Sequence, residues 1–470
     1  NSLGRLWLEG HPNDELKSEW KYYLDEAEQE PDVQKQLDEI REQSKKIRPE
    51  DIKVLDPAMG SGHILVYAFD VLYEIYKSAG YSEKDIPKLI LEKNLYGLEI
   101  DDRSAQLAYF AVMMKARQYN RRILNGETPC HVYAIQESNN INHAHLKYLG
   151  AGMDDLEAKT ARVQLEGLLD TLRDAKEYGS ILKVENYNWE LLRRFVSAAD
   201  AGEQVTIDSA GLEETAEQLM TLINIAEAMA QKYDVVVTNP PYMAVSNGGA
   251  QLNEYVKKNY PDSKTDLFAV FIERCGAMAE QNCYQAMITQ HSWMFLSSFE
   301  KLREKLLQRD TVNMAHLGAR AFEEIGGEVV QTTAFCMTNR PLPQYRGHYF
   351  RLTDGTDEAA KQRMFSDMLR EGGAYRKCAG EFRRIPGHPI AYWADDSVTE
   401  GFRRGVPLKT LGDTRQGMAT SDNGRFLRRW YEVPRDEIGF DAVSHAAALA
   451  SGRTWFPYNK GGDCRKWYGN

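Results

Sequence analysis

Near the middle of the chain the apolar run Tyr233-Asp234-Val235-Val236-Val237-Thr238 is stopped by Asn239-Pro240-Pro241-Tyr242. Three consecutive valines favour extended backbone, because two substituents on each Cβ leave little χ1 freedom in a helix. The two prolines can neither donate to a sheet ladder nor continue a helix. The stretch therefore reads as a buried strand whose carboxyl end opens into a stiff loop, and in open α/β sheets that end is where ligands bind.

A second strand-loop-helix pattern precedes it. Lys53-Val54-Leu55-Asp56-Pro57-Ala58-Met59-Gly60-Ser61-Gly62-His63 is a short apolar strand with an acid at its tip, a glycine-containing loop, and then a helical pattern through Tyr76. Gly60 and Gly62 remove side chains where backbone approaches a ligand, and the following helix turns its positive end to the same place. The third glycine of a dinucleotide fingerprint is missing. Asp56 can instead accept from an ammonium group, which points to an amino-acid-bearing cofactor. The next strand, Asn94-Leu95-Tyr96-Gly97-Leu98-Glu99-Ile100, ends in Glu99, a carboxylate suited to ribose hydroxyls.

These residues suit methyl transfer to an amide or an aromatic amine. The nitrogen of such a group is a poor nucleophile because its lone pair is delocalised. The Asn239 side-chain oxygen and a carbonyl of the Pro240-Pro241 backbone could both accept from one NH2 group and favour a pyramidal nitrogen. Tyr242 would stack on the planar substrate.

The order of glycine loop, Glu99 and Asn-Pro-Pro-Tyr resembles the S-adenosylmethionine-dependent DNA adenine-N6 methyltransferases in which the cofactor motifs come first and the target-recognition domain last. The phrases around residues 55–65, 96–102, 264–271 and 417–430 are similar to the large adenine methyltransferases of BREX-type phage-defence systems, the PglX family, which in turn resemble single-chain restriction-modification proteins. The resemblance implies an α/β fold with a Rossmann-like, seven-stranded, mostly parallel methyltransferase sheet, helices on both faces and the last strand antiparallel. It also implies S-adenosyl-L-methionine as the cofactor, held by Asp56, Pro57, Ala58, Gly60 and Gly62 along its methionine part and by Glu99 at its ribose. Asn239, Pro240, Pro241 and Tyr242 would hold the target adenine, with Asp266 and Phe268 lining its pocket and Phe335 as a second aromatic against the extruded base. The implied partners are double-stranded DNA and defence-system proteins, in a bacterial cytoplasm. After the third strand, His131-Val132-Tyr133-Ala134-Ile135-Gln136-Glu137 offers Gln136 or Glu137 to the cofactor adenine, and the choice stays open. The family also carries a cofactor-binding segment upstream of the region corresponding to Asn1.

Residues 1–47 are highly charged, with apolar side chains at helical spacing from Leu16 to Leu24, and suggest helices leaning on the core. The methyltransferase core is expected over residues 48–340, interrupted by an insertion at 138–231. Helical apolar spacing over 154–176 and 212–230 makes that insertion a helical subdomain, with packing on the sheet edge as its expected role. A Pro- and Gly-punctuated connector follows at 341–405, and the start of a target-recognition domain at 406–470.

Charge follows the same division. The net charge is −11, yet from Arg340 onward 22 lysines and arginines face 16 acids. The basic excess includes Arg376-Lys377, Arg383-Arg384, Arg403-Arg404, Arg428-Arg429 and Arg465-Lys466, interleaved with Tyr392, Trp393, Trp430, Trp455 and Trp467, a composition that can meet phosphates and bases. Six cysteines without CxxC pairing or a nearby histidine pattern argue against a metal site or a disulfide frame. No apolar run has membrane length. Pro31-Asp32 and Asp51-Ile52-Lys53 match a PD-(D/E)xK nuclease spacing by chance, since Asp51 leads straight into the cofactor strand. Two other functions use similar residues: a glutamine-N5 protein methyltransferase, whose amide poses the same nitrogen problem, and a non-catalytic DNA-binding scaffold. The basic carboxy-terminal part favours DNA over peptide, and intact Asp56, Glu99, Asn239 and Tyr242 favour turnover.

Overall fold

A computed structural model describes residues 1–126, 128–199, 210–322, 330–413 and 419–458. The chain divides into two compact units, Asn1–Arg404 and Gly405–Asn470. Gly417, Met418, Cys464 and the Arg465-Lys466-Trp467 cluster lie outside the described residues.

The first unit is built on nine strands: β1 (Val54–Asp56), β2 (Leu95–Glu99), β3 (His131–Ala134), β4 (Tyr233–Thr238), β5 (Ala279–Gln290), β6 (Asp310–Gly318), β7 (Thr332–Thr338), β8 (Arg346–Arg351) and β9 (Tyr375–Cys378). Their order across the sheet is β3-β2-β1-β4-β5-β7-β6-β8-β9. β3 through β5 run parallel, and β7 lies antiparallel between β5 and β6. The first seven strands are thus the expected methyltransferase sheet with its last strand reversed. β8 and β9 extend it, so the segment expected to be a mere connector carries two strands of the same sheet.

The central strands are short and buried on both faces, which is why they read as continuous apolar runs. One face is covered by the helices Leu3–Gly10, His63–Ser78 and Asp102–Tyr119, which bury Leu6, Trp7, Phe69, Leu72 and Val112 with Val54 and Val235. The other face is covered by Leu212–Ala230 and Leu267–Met278, which bury Leu219, Ile223, Phe268 and Ile272 with Leu55 and Val236. The helical spacing expected from Leu16 to Leu24 holds only to Glu19; a turn at residues 21–22 follows, and the Leu24 carbonyl accepts from the buried Arg5 guanidinium.

Between β3 and β4 the helices Asp155–Thr171, Trp189–Ser197 and Leu212–Ala230 share one apolar core with the sheet. Ser138 closes the entrance of this insertion, its N–H on the Leu172 carbonyl and its hydroxyl on that of Leu169. At its other end Arg274 donates to the carbonyls of Ser180, Leu182 and Met229, tying the insertion to the helix Leu267–Met278. No helix among the described residues is long and apolar enough to cross a membrane.

Candidate active site

β2, β1, β4 and β5 are neighbours and all run the same way, so Glu99, Asp56, Asn239 and Gln290 come to one edge of the sheet. In register, Asp56 pairs with Gly97 and Thr238 with Met287. The side chains singled out from the sequence are therefore brought together by pairing rather than by local turns.

Asp56 is fully buried. Its Oδ1 accepts from the Ala58 N–H at 3.1 Å, and its Oδ2 has no hydrogen-bond partner. Burial pushes its pKa from 3.8 to about 7; the Thr238 hydroxyl and the Ala58 N–H draw it down, and Glu99 adds to the rise. The Thr238 hydroxyl stands beside the carboxyl yet outside good hydrogen-bond geometry. A buried carboxyl with one free oxygen is a receptor for a cation, because a charge-assisted hydrogen bond is what burial denies it.

The loop that follows is held open by glycine. Gly60 has φ +52°, and a Cβ added there would meet nothing within 4 Å, so its backbone borders free space on the ligand side. Gly62 has φ +83°, and a Cβ there would lie 2.9 Å from Ala108 Cβ, so glycine lets the loop sit on the helix Asp102–Tyr119. Glu99 spans the two strand tips: Oε2 accepts from the Gly60 N–H at 2.8 Å, and Oε1 from the Ile100 and Asp101 N–H groups at 3.0 and 3.2 Å. Oε1 is thereby filled, and Oε2 keeps a lone pair for a further donor.

Asn239 and Pro241 are exposed, Pro240 is buried, and Tyr242 is half-buried. The Tyr242 hydroxyl sits 3.1 Å from both Asn239 Oδ1 and the Ile288 carbonyl, and burial raises its pKa. Its ring meets Phe268 edge-on at 6.3 Å. Asp266 caps the helix Leu267–Met278 by accepting from the Phe268 N–H, and Leu267 N–H returns to the Met243 carbonyl, which fixes the loop against the helix. Phe335 is 3% exposed and packs on Trp293, in an inward position on β7 opposite Met287 and Met314.

The insertion reaches this edge, beyond the packing role expected of it. Ser180 Oγ donates to the Pro57 carbonyl, Lys176 pairs with Asp102 at 2.7 Å, and a Cβ on Gly179 would lie 3.5 Å from Ile100. Gln136 donates to Asp102 at 2.9 Å. Lys176 and Ser180 carry no sequence signal, since their partners lie 74 and 123 residues away.

Two family models match: the Eco57I restriction-modification methylase over residues 93–320 and the MmeI DNA-methyltransferase domain over residues 27–150. The adenine-specific methyltransferase PglX of Lacticaseibacillus casei (strain Zhang) is 41% identical over 487 residues, and BrxX of Escherichia coli O9:H4 (strain HS) is 41% identical over 497 residues. Both alignments take in 100% of this chain. The chain is a homologue of these adenine-specific methyltransferases. It spans 39% of the length of each. Among solved structures, the DNA-bound Type ISP restriction-modification enzyme LlaBIII matches at TM-score 0.41 and 15% identity, over 69% of this chain and 20% of that one.

Proposed function

We propose that the protein transfers a methyl group from S-adenosyl-L-methionine to N6 of adenine in duplex DNA. The observation that carries this is the single sheet edge on which Asp56, Glu99, Asn239 and Tyr242 stand. The unpartnered Asp56 Oδ2 fits an ammonium group, the open side of Gly60 fits an extended methionine chain, and the free lone pair of Glu99 Oε2 fits a ribose hydroxyl. Pro57 and Ala58 line the same turn. When bound, S-adenosylmethionine supplies an electrophilic methyl group on a sulfonium.

The chain's own part is to present the nitrogen. An adenine within a duplex is shielded by stacking and must be extruded. Tyr242 then gives it a ring to stack on, and Phe268 backs that ring. Asn239 Oδ1 and the Pro240 carbonyl accept from the amino group and hold its lone pair out of conjugation. Asn239 Oδ1 is shared with the Tyr242 hydroxyl before substrate arrives, so extrusion exchanges one hydrogen bond for another. No base is needed to begin: the nitrogen becomes acidic once methylated and releases its proton to water. In the second unit Arg428 lies 5.5 Å from the Trp455 ring, beside Arg425, Arg429 and Trp430, a basic aromatic surface suited to duplex contacts as the start of a target-recognition domain. A place in phage defence or restriction-modification, with defence proteins as partners, belongs to the same proposal.

The test is tritiated methyl incorporation by full-length protein into duplex DNA and, in parallel, into a glutamine-containing peptide. Asn239→Ala should lower turnover on DNA about a hundred- to a thousandfold, as loss of one preorganised acceptor does. Affinity for S-adenosylhomocysteine should hold. Equal rates would reduce Asn239 to a turn residue, and methylation of the peptide alone would favour the protein-methyltransferase reading.

A further inference from the structure

The same carboxyl edge carries a second group of side chains that methyl transfer does not use. His291 follows β5, His316 stands near the end of β6, Arg351 ends β8, and Phe295, Tyr392 and Trp393 close around them. His291 Nδ1 lies 2.7 Å from His316 Nε2, and His316 Nδ1 lies 3.0 Å from the Tyr392 hydroxyl.

The direction of this chain follows from Tyr392. Its side chain is fully buried, and among the described residues its hydroxyl has no acceptor but His316. A buried donor left unpaired is costly, so the hydroxyl donates to His316 Nδ1. His316 then carries its proton on Nε2 and donates to His291 Nδ1, and His291 carries its proton on Nε2. Burial lowers the pKa of both rings, that of His316 to about 4, which keeps the pair neutral near pH 7. The outer end is an N–H donor on a half-exposed ring.

Flat aromatic surface surrounds that donor. Phe295 meets His291 edge-on at 5.7 Å, and Trp393, 39% exposed, lies 5.5 Å from Phe295. The exposed Arg351 guanidinium sits 5.7 Å from the Trp393 ring, while Lys361 is buried with its Nζ on the Leu317 and Leu352 carbonyls. Exposed rings, a neutral donor and one exposed cation in one place match the three parts of a nucleotide: a base that stacks, acceptors on its edge, and a phosphate. β5 is one strand and β8 four strands from β4, so the group begins about 5 Å and ends about 20 Å along the edge from the catalytic loop. That lies within roughly one to six base steps.

We propose that Trp393, Phe295 and His291 form a shelf for an unstacked base of the same DNA, close to the position from which the target adenine leaves. The shelf steadies the opened duplex while Tyr242 holds the adenine, and it rests on the DNA-methyltransferase reading.

The test compares full-length wild type, Trp393→Ala, Trp393→Phe and Arg351→Gln by fluorescence anisotropy on a labelled duplex and on a labelled oligothymidylate, with S-adenosylhomocysteine titration alongside. Trp393→Ala should weaken binding to both DNAs about five- to a hundredfold, the worth of one base–aromatic stack. Trp393→Phe should restore most of it, and S-adenosylhomocysteine binding should stay at the wild-type value throughout. If Trp393→Ala does not fold, Arg351→Gln, at an exposed side chain, should still weaken binding to both DNAs. Wild-type affinity in folded Trp393→Ala, or in Arg351→Gln where that variant stands in, overturns the shelf and leaves the DNA reading intact. A wild type that binds S-adenosylhomocysteine but neither DNA removes that reading and the shelf with it. Unchanged DNA binding with loss of a copurifying defence protein would also overturn the nucleotide assignment and make the shelf a protein surface.

Discussion

Asp56→Asn separates what the fold wants from what the site wants. In the folded chain the carboxyl titrates at about 7, against 3.8 when free, because it is wholly buried with one oxygen unpaired. Below pH 4 the folded and unfolded chains both hold the proton, and the acid leaves stability unchanged. As pH rises toward 7 the unfolded acid ionises while the folded one does not, so stability falls. Above 7 the whole difference, about 4 kcal/mol, is lost. The Asn variant keeps the bond from the Ala58 N–H and turns its amide toward the Thr238 hydroxyl without any charge to bury. Urea unfolding from pH 4 to pH 8 should show the variant more stable than wild type by up to about 4 kcal/mol at the alkaline end and equal to it at the acid end. Cofactor binding, which needs the carboxylate, should rise with pH in wild type and be lost in the variant. A stability difference that stays flat across this range would refute the reasoning, because it would mean that the folded carboxyl is already ionised.

Gly62→Ala should destabilise the fold by about 1–3 kcal/mol in urea titration, since positive φ and contact with Ala108 act together. Arg340→Met would strand Asp310, whose carboxylate sits 2.8 Å from the guanidinium with both side chains 2% exposed. A loss of about 3–5 kcal/mol at pH 7 is expected. It should shrink toward pH 5, because burial already lifts the Asp310 pKa to about 6 and a proton removes the stranded charge. Arg274→Met leaves three buried carbonyls without donors, and amide exchange across residues 175–182 should quicken while β1 to β3 keep their protection.

What could be read from the chain was whatever depends on local chemistry. The valine run, the paired prolines and the positive-φ glycines announce β4, its loop and the cofactor turn without help from distant residues. Leu212–Ala230 begins and ends as its apolar spacing requires. β8 and β9 escaped notice because Arg346-Gly347-His348-Tyr349-Phe350-Arg351 is short, edge-charged and extended only by pairing, His348 with Asn313 on one side and Arg376 on the other. Phe335 shows the same limit: an aromatic in an apolar strand looks alike whether it faces a pocket or Trp293. The grip of Lys176 and Ser180 on the cofactor edge was equally silent, since nothing near either residue names its partner.

The neighbour order of β1 also sets a timetable for making the protein. Val54 pairs with Leu95 on one side, but its other side waits for Val235. At ribosomal rates of about 5–20 residues per second, that edge stays open for roughly 10–40 s after β1 emerges. An unpaired, largely apolar strand edge is an aggregation hazard over such an interval. The helical insertion is synthesised during that wait and can close on itself through Ser138. Ribosome-stalled chains ending before Tyr233 should therefore bind chaperones, and chains extended past Gln290, with β4 and β5 in place, should be released.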